Sequence, residues 1–241
     1  MAIYTSKTKI DLEDVGYSNK ITNKAILKIL ENAGARQSET IHFGLNDMEN
    51  VGFSWILLGW KVKILKRPIY NEELTINTWG RDSNRIFTYR DYEIYDESGE
   101  LCTIATSKWA IVDINTGKLR ELTPEIIEKY QCETKKVFEE DYTLKLKEPA
   151  TIIRKQEYKA QRRDIDINKH IHNLYYLDYA YEVLPEEVYE APECNNIEIM
   201  YKKQIRLNDE FKCLYTKEEN QNIVTMKSED ENTLHAIIKL Y

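Results

Sequence analysis

Asp164-Ile-Asp166-Ile-Asn168-Lys-His170-Ile-His172-Asn173 sets carboxylates, amides and imidazoles within ten residues. An imidazole beside a carboxylate shuttles a proton, an amide orients a reacting group, and free backbone N–H groups stabilise charge growing on oxygen. Together they are the parts needed to hydrolyse an acyl group. The run that follows, Leu174 to Leu184, has helical spacing and meets Pro185. Proline is incompatible with a helix interior, so the spacing predicts a helix over 169–184 with the polar motif at its start. The positive end of its dipole would then lie beside Asn168. Asp and Asn before a helix are also ordinary N-caps, so capping and catalysis both remain open on this segment alone.

The elements that must position this motif sit in a chain of 241 residues, 42% hydrophobic and 31% charged. That composition describes a globular protein with one large domain or two small ones. A net charge of −7 argues against a general nucleic-acid binder. Trp55-Ile-Leu-Leu-Gly-Trp60, the most apolar run, is too short to span a bilayer, and the first residues lack the apolar core of a signal peptide. Cys102, Cys132, Cys194 and Cys213 are scattered. They fit neither a zinc cluster nor a disulfide framework, and a reduced cytoplasmic setting is expected. His170, His172 and Cys194 have no diagnostic metal-ligand spacing.

Strand and helix signals occur in two similar series. The first opens with a polar arm and a helix carrying Ile26, Leu27, Ile29, Leu30 and Ala33, with Ser18 or Thr22 as its cap and Gly34 as a break or end. Strands are expected at 58–64, 73–79, 85–95 and 101–114, separated by turn signals such as Asp96-Glu-Ser-Gly99 and Asn115-Thr-Gly117. Thr123-Pro124 opens a short helix. The second series has a strand at 152–159, the motif and its helix, then strands at 197–207, 210–217, 222–228 and 233–241. Val62–Ile76 also lies over Ile199–Cys213 at a constant offset of 137 residues. Two copies of one α+β unit are therefore expected, each a sheet wrapped round its own helix. The boundaries read as an N-terminal repeat at 1–135, a charge-rich linker at 136–148 and a C-terminal repeat at 149–241.

The chain resembles the acyl-acyl carrier protein thioesterases of plant plastids and bacteria. The resemblance rests on Pro68–Trp79, Arg90–Gly99 and Ala105–Gly117 in the first half. In the second half it rests on Asp166, Asn168 and His170, followed by Asn173, Tyr176 and Glu182. It implies a double hotdog fold, with the two sheets joined side by side, and hydrolysis of the thioester between a fatty acyl chain and the phosphopantetheine arm of acyl carrier protein. It implies no metal or bound cofactor. Plant members carry a pattern resembling Tyr-Arg-Arg-Glu-Cys in the strand after the helix. Here that stretch is Tyr201-Lys-Lys-Gln204-Ile205, so a covalent acyl-cysteine route is not expected.

The expected site is Asp166, Asn168, His170 and Gln204. Water would attack directly, with His170 and Asp166 handling its proton. Asn168 and helix N–H groups would polarise the carbonyl, and Gln204 would orient the water through its side-chain oxygen. His172 reads as a partly exposed helix residue. The first half has no Asp-x-Asn-x-His, so it is expected to keep the fold without the chemistry. Its Trp55, Trp60, Trp79 and Phe87 either line an acyl pocket or fill an ordinary core. The expected partner is acylated acyl carrier protein, met by a monomer or homodimer, with no nucleic acid or membrane partner. Arg162, Arg163, Lys202, Lys203 and Arg206 form the expected docking surface for that acidic carrier. The competing readings are a hotdog acyl-coenzyme A hydrolase, a non-catalytic acyl-binding hotdog protein and, more remotely, a dehydratase of the same fold.

Overall fold

The computed structural model describes residues 3–81, 83–140, 145–191 and 194–241. The chain divides into two units, Met1–Thr143 and Leu144–Tyr241. Part of the linker expected at 136–148 falls on 141–144, outside the described residues.

The first unit runs β1 (Tyr4–Lys9), α1 (Asn23–Thr40), α2 (Met48–Val51), β2 (Phe53–Ile64), β3 (Glu73–Gly80), β4 (Thr88–Tyr95), β5 (Leu101–Asp113), β6 (Leu119–Arg120) and α3 (Pro124–Tyr130). Its antiparallel sheet has the order β1-β3-β4-β5-β2, with β6 on β5. The expected polar arm is the edge strand β1. Tyr4-Thr-Ser-Lys-Thr-Lys9 buries no full face, and its burial merely alternates between intermediate and exposed. Lysine on such an edge blocks pairing with another chain, and it also hides the strand from a search for apolar alternation.

Helix α1 starts where Thr22 Oγ1 accepts the Ala25 N–H at 3.2 Å, a cap that stabilises by about 1 kcal/mol. Gly34 neither ends nor breaks this helix. A Cβ there would lie 3.0 Å from the Tyr92 hydroxyl and 3.2 Å from Arg90 Cδ, so the glycine permits close approach to β4. Trp60 and Tyr92 meet beneath the helix with ring centroids 5.4 Å apart. Trp79 points to the other face, where its Nε1 donates to the Lys135 carbonyl at 3.0 Å. Lys135 also pairs with Glu93 at 2.7 Å, and Val137 N–H donates to the buried Asp91 carboxylate at 3.0 Å. Residues 133–137 thus strap the outer face of the first sheet.

The second unit runs β7 (Arg154–Lys159), α4 (Tyr175–Glu182), α5 (Glu186–Tyr189), β8 (Asn196–Tyr201), β9 (Glu210–Glu218), β10 (Gln221–Ser228) and β11 (Leu234–Leu240). Its order, β7-β9-β10-β11-β8, repeats that of the first unit. Tyr176, Leu177 and Ala180 form the buried face of α4. Ile197, Ile199 and Tyr201 alternate on one face of β8, and Tyr176 meets Tyr201 edge-on at 5.3 Å. The strand expected over 197–207 stops at Tyr201, because the backbone turns there toward the motif and Asn208 adopts φ +69°.

The duplication extends to backbone detail. Asn71 and Asn208, 137 residues apart, both have φ +69°. Asn19 at +58° and Lys169 at +64° match likewise at an offset of 150 residues. The bridges Val15–Ile21 and Lys20–Ile69 recur as Ile165–Ile171 and His170–Arg206. The chain is therefore the expected α+β double hotdog, a sheet and a helix in each unit.

Candidate active site

The motif is not the first turn of a helix. Helix α4 begins at Tyr175, so the expectation of a helix from 169 fails, and with it Asn168 as a helix cap. Lys169 takes a left-handed conformation, which ends any helical path through the motif. Residues 164–173 instead form a loop that its own polar groups close.

Two aspartates hold this loop. Asp164 is buried, and its Oδ2 accepts the Gln161 N–H at 2.9 Å and the Tyr179 hydroxyl at 2.5 Å. Its role is structural. Asp166 is half-exposed, and its Oδ1 accepts the Asn168 N–H at 2.8 Å and the His170 N–H at 3.2 Å. The Asp166 N–H donates to the His170 carbonyl at 2.8 Å, which closes the turn. The carboxylate is thereby fixed on the His170 backbone, near enough to act on the imidazole electrostatically.

His170 is half-buried, and its ring makes no hydrogen bond among the described residues. Burial is the main cause that holds its pKa below the ordinary histidine value. Arg206 lowers it further, and Asp166 opposes both. The imidazole is thus neutral near pH 7, able to accept a proton, with a carboxylate close enough to stabilise the imidazolium that results. His172 plays another part. Its Nδ1 accepts the Leu174 N–H at 3.3 Å, in the place where Thr22 caps α1.

Asn168 and Gln204 are both exposed, and neither side chain makes a hydrogen bond among the described residues. Gln204 comes alongside the motif through its neighbours. Ile171 N–H donates to the Ile205 carbonyl at 2.8 Å, and Arg206 bridges to His170. Ile205 is fully buried. In the first unit Arg67 occupies the place of Gln204 and donates to the Ile21 carbonyl at 2.9 Å and Asn23 Oδ1 at 2.7 Å. Those acceptors correspond to Ile171 and Asn173, so the Arg67 side chain reaches the first unit's counterpart of the motif loop. The first unit keeps the loop, with Gly16, Ser18 and Lys20 where the second has Asp166, Asn168 and His170.

Of the four cysteines, Cys102 and Cys213 are buried. Burial pushes the Cys102 thiol up to about 11 and the Cys213 thiol upward as well. The Cys194 sulfur lies beside the Asn222 amide of β10 at 3.9 Å. Among the described residues no group of three or more His, Cys, Asp or Glu is placed to hold a metal ion. Nor is any helix among them long and apolar enough to cross a membrane.

Residues 1–130 match the acyl-ACP thioesterase N-terminal domain, and residues 147–239 match the acyl-ACP thioesterase C-terminal domain. The chain belongs to the acyl-ACP thioesterase family. Among its relatives, oleoyl-acyl carrier protein thioesterase 2, chloroplastic, from Arabidopsis thaliana is 25% identical over 238 residues. That match covers 92% of the chain but only 65% of the plant protein's length. An acyl-ACP thioesterase from Bacteroides thetaiotaomicron has the same fold, with a TM-score of 0.87 at 22% identity, over 99% of this chain and 97% of that one. The 12:0-ACP thioesterase from Umbellularia californica does too, with a TM-score of 0.87 at 16% identity, over 100% and 96% of the two chains. For this acyl-ACP thioesterase family member, nothing local in the sequence signals the left-handed Lys169 of the motif loop, or pairs Tyr176 with Ile205 and His235 with Lys203.

Proposed function

We propose that this protein hydrolyses the thioester of fatty acyl-acyl carrier protein and releases a free fatty acid. The observation that carries this reading is His170, a neutral half-buried imidazole whose neighbouring carboxylate is fixed by backbone N–H groups. His170 takes a proton from water as the water oxygen bonds to the carbonyl carbon. Asp166 stabilises the imidazolium and does not itself take the proton. Asn168 donates its amide N–H to the developing oxyanion. When the carbon–sulfur bond breaks, the imidazolium returns its proton to the sulfur, leaving a carboxylic acid and a thiol. Gln204 orients the attacking water through its amide oxygen. The relatives' names supply the carrier, and membership of the family supports the thioester as the bond attacked. The reaction is placed in the cytoplasm, with a monomer or homodimer as the working form.

The test is an acid-release assay on a chain-length series of acyl-acyl carrier proteins, run beside the matching acyl-coenzyme A series. Preferred turnover of the carrier-protein substrates supports the reading. Turnover of acyl-coenzyme A alone transfers the site to the other carrier, and absence of hydrolysis from both overturns it.

A further inference from the structure

We propose that Tyr176 and His235 are positioning residues for Gln204, gripping the backbone on either side of it. The inference rests on the hydrolytic reading above. Strand β8 ends at Tyr201, and the next bridge is at Arg206, so residues 202–205 lie between two ladders. Two side chains take over there. The Ile205 N–H donates to the Tyr176 hydroxyl at 3.2 Å. His235 Nδ1 lies 2.8 Å from the Lys203 carbonyl, and since a carbonyl only accepts, Nδ1 carries the proton. The Lys202 N–H donates to the His235 carbonyl at 2.8 Å. Both clamping side chains are buried, Tyr176 3% and His235 6% exposed, whereas Gln204 between them is exposed.

The two grips come from different elements. Tyr176 reaches from α4, on the face where it meets Tyr201. His235 comes from β11, where it is the extra residue of a bulge and precedes Ala236, the partner of Tyr201 in the β11–β8 ladder. With the peptides on both sides of Gln204 tied down, the exit direction of its side chain is fixed. Such placement matters because small misalignments of a water-orienting group cost large factors in rate.

The first unit is an internal control. It lacks the acid, amide and imidazole, and it also lacks both grips. At the corresponding positions Ile26 replaces Tyr176, Cys102 replaces His235 and Pro68 replaces Ile205. Proline has no N–H for a hydroxyl to accept. The backbone link to the strand survives, as the Leu65 and Lys66 N–H groups both donate to the Cys102 carbonyl, at 2.7 and 3.1 Å, so in the first unit backbone groups alone hold this stretch to the strand. The hydroxyl and the ring nitrogen are present only where Gln204 is.

The test uses Tyr176→Phe, His235→Leu and the conservative His235→Asn, whose amide N–H keeps a donor for the Lys203 carbonyl. Tyr176→Phe and His235→Leu should each lower kcat about ten- to hundredfold with little change in KM. His235→Asn should restore most of the loss. In a Gln204→Ala background, neither clamp substitution should lower kcat further, the non-additivity of residues acting through one another. Amide hydrogen exchange over 202–206 should quicken in Tyr176→Phe and His235→Leu with the rest of β8 and β11 unchanged. Unchanged exchange at 202–206, or full additivity with Gln204→Ala, would overturn the clamp. Activity of His170→Ala, measured alongside, judges the hydrolytic reading separately, because the exchange readout does not depend on turnover.

Discussion

Asp166 and His170 hold each other through the backbone. The Asp166 carboxylate accepts the His170 N–H at 3.2 Å, and the His170 carbonyl accepts the Asp166 N–H at 2.8 Å. This reciprocal pair fixes the carboxylate on the His170 backbone without using the ring nitrogens, which stay available for water. His170→Ala should therefore lower turnover by about a hundredfold or more, the usual cost of losing a general base. Asp166→Asn keeps an oxygen for the loop N–H groups but removes the charge, and should lower turnover by a smaller factor. Both should melt near the wild-type temperature. Folded His170→Ala with full activity would remove the site from this loop.

The pH dependence follows from the same pair. His170 must be neutral to act, and its pKa lies below the ordinary histidine value because of burial and Arg206. The acidic limb of kcat/KM should accordingly have its midpoint below pH 6.5, with more than half of the plateau activity retained at that pH. Asp166 raises the His170 pKa, so Asp166→Asn should move the limb to lower pH. Arg206 lowers it, so Arg206→Gln should move the limb to higher pH. A limb that does not respond to either substitution belongs to another group.

Much of this arrangement is legible in the sequence where burial imposes a period. Leu58-Gly-Trp60-Lys-Val62-Lys-Ile64 is legible because Trp60, Val62 and Ile64 are buried on one face while Lys61 and Lys63 between them are more open, and the observed strand includes all of it. The edge strand β1 is illegible for the converse reason, since neither of its faces is fully buried. The motif is legible as chemistry but not as conformation. Asp166 closes a turn with its own side chain, and a left-handed Lys169 gives no sequence signal. His235 is a long-range partner of Lys203, 32 residues away, and only the β8–β11 pairing reveals it.

Carrier docking should depend on the cations around the motif. Arg162, Arg163, Lys202, Lys203 and Arg206 are all exposed, and Arg206 is bridged to His170. Arg162 and Arg163 lie in the turn that leads into Asp164. A basic surface of this kind attracts an acidic carrier despite the net charge of −7. Replacing Arg163 and Lys202 by Glu should raise KM for acyl-acyl carrier protein several-fold at low salt, with kcat little changed. The difference should shrink as ionic strength rises, because exposed charges are screened. A KM that is independent of salt in the wild-type protein would place the docking surface elsewhere.

The last prediction concerns the nucleophile. A catalytic cysteine needs a depressed pKa and a base within reach. Cys102 and Cys213 have the opposite environment, buried with thiols pushed upward. Cys194 lies by Asn222, and a Cβ on Gly80 would lie 3.2 Å from the Cys132 sulfur, which places that residue against β3 of the first unit. The position where plant relatives are expected to carry cysteine is Ile205, which is fully buried and tied through its backbone to Tyr176 and Ile171. Attack by water needs none of these sulfurs. A protein with Cys102, Cys132, Cys194 and Cys213 all changed to Ala or Ser should keep kcat within a few-fold of wild type wherever it folds. Intact-mass measurement during turnover should show no acyl adduct, and an acyl group trapped on any cysteine would replace water attack with a covalent route.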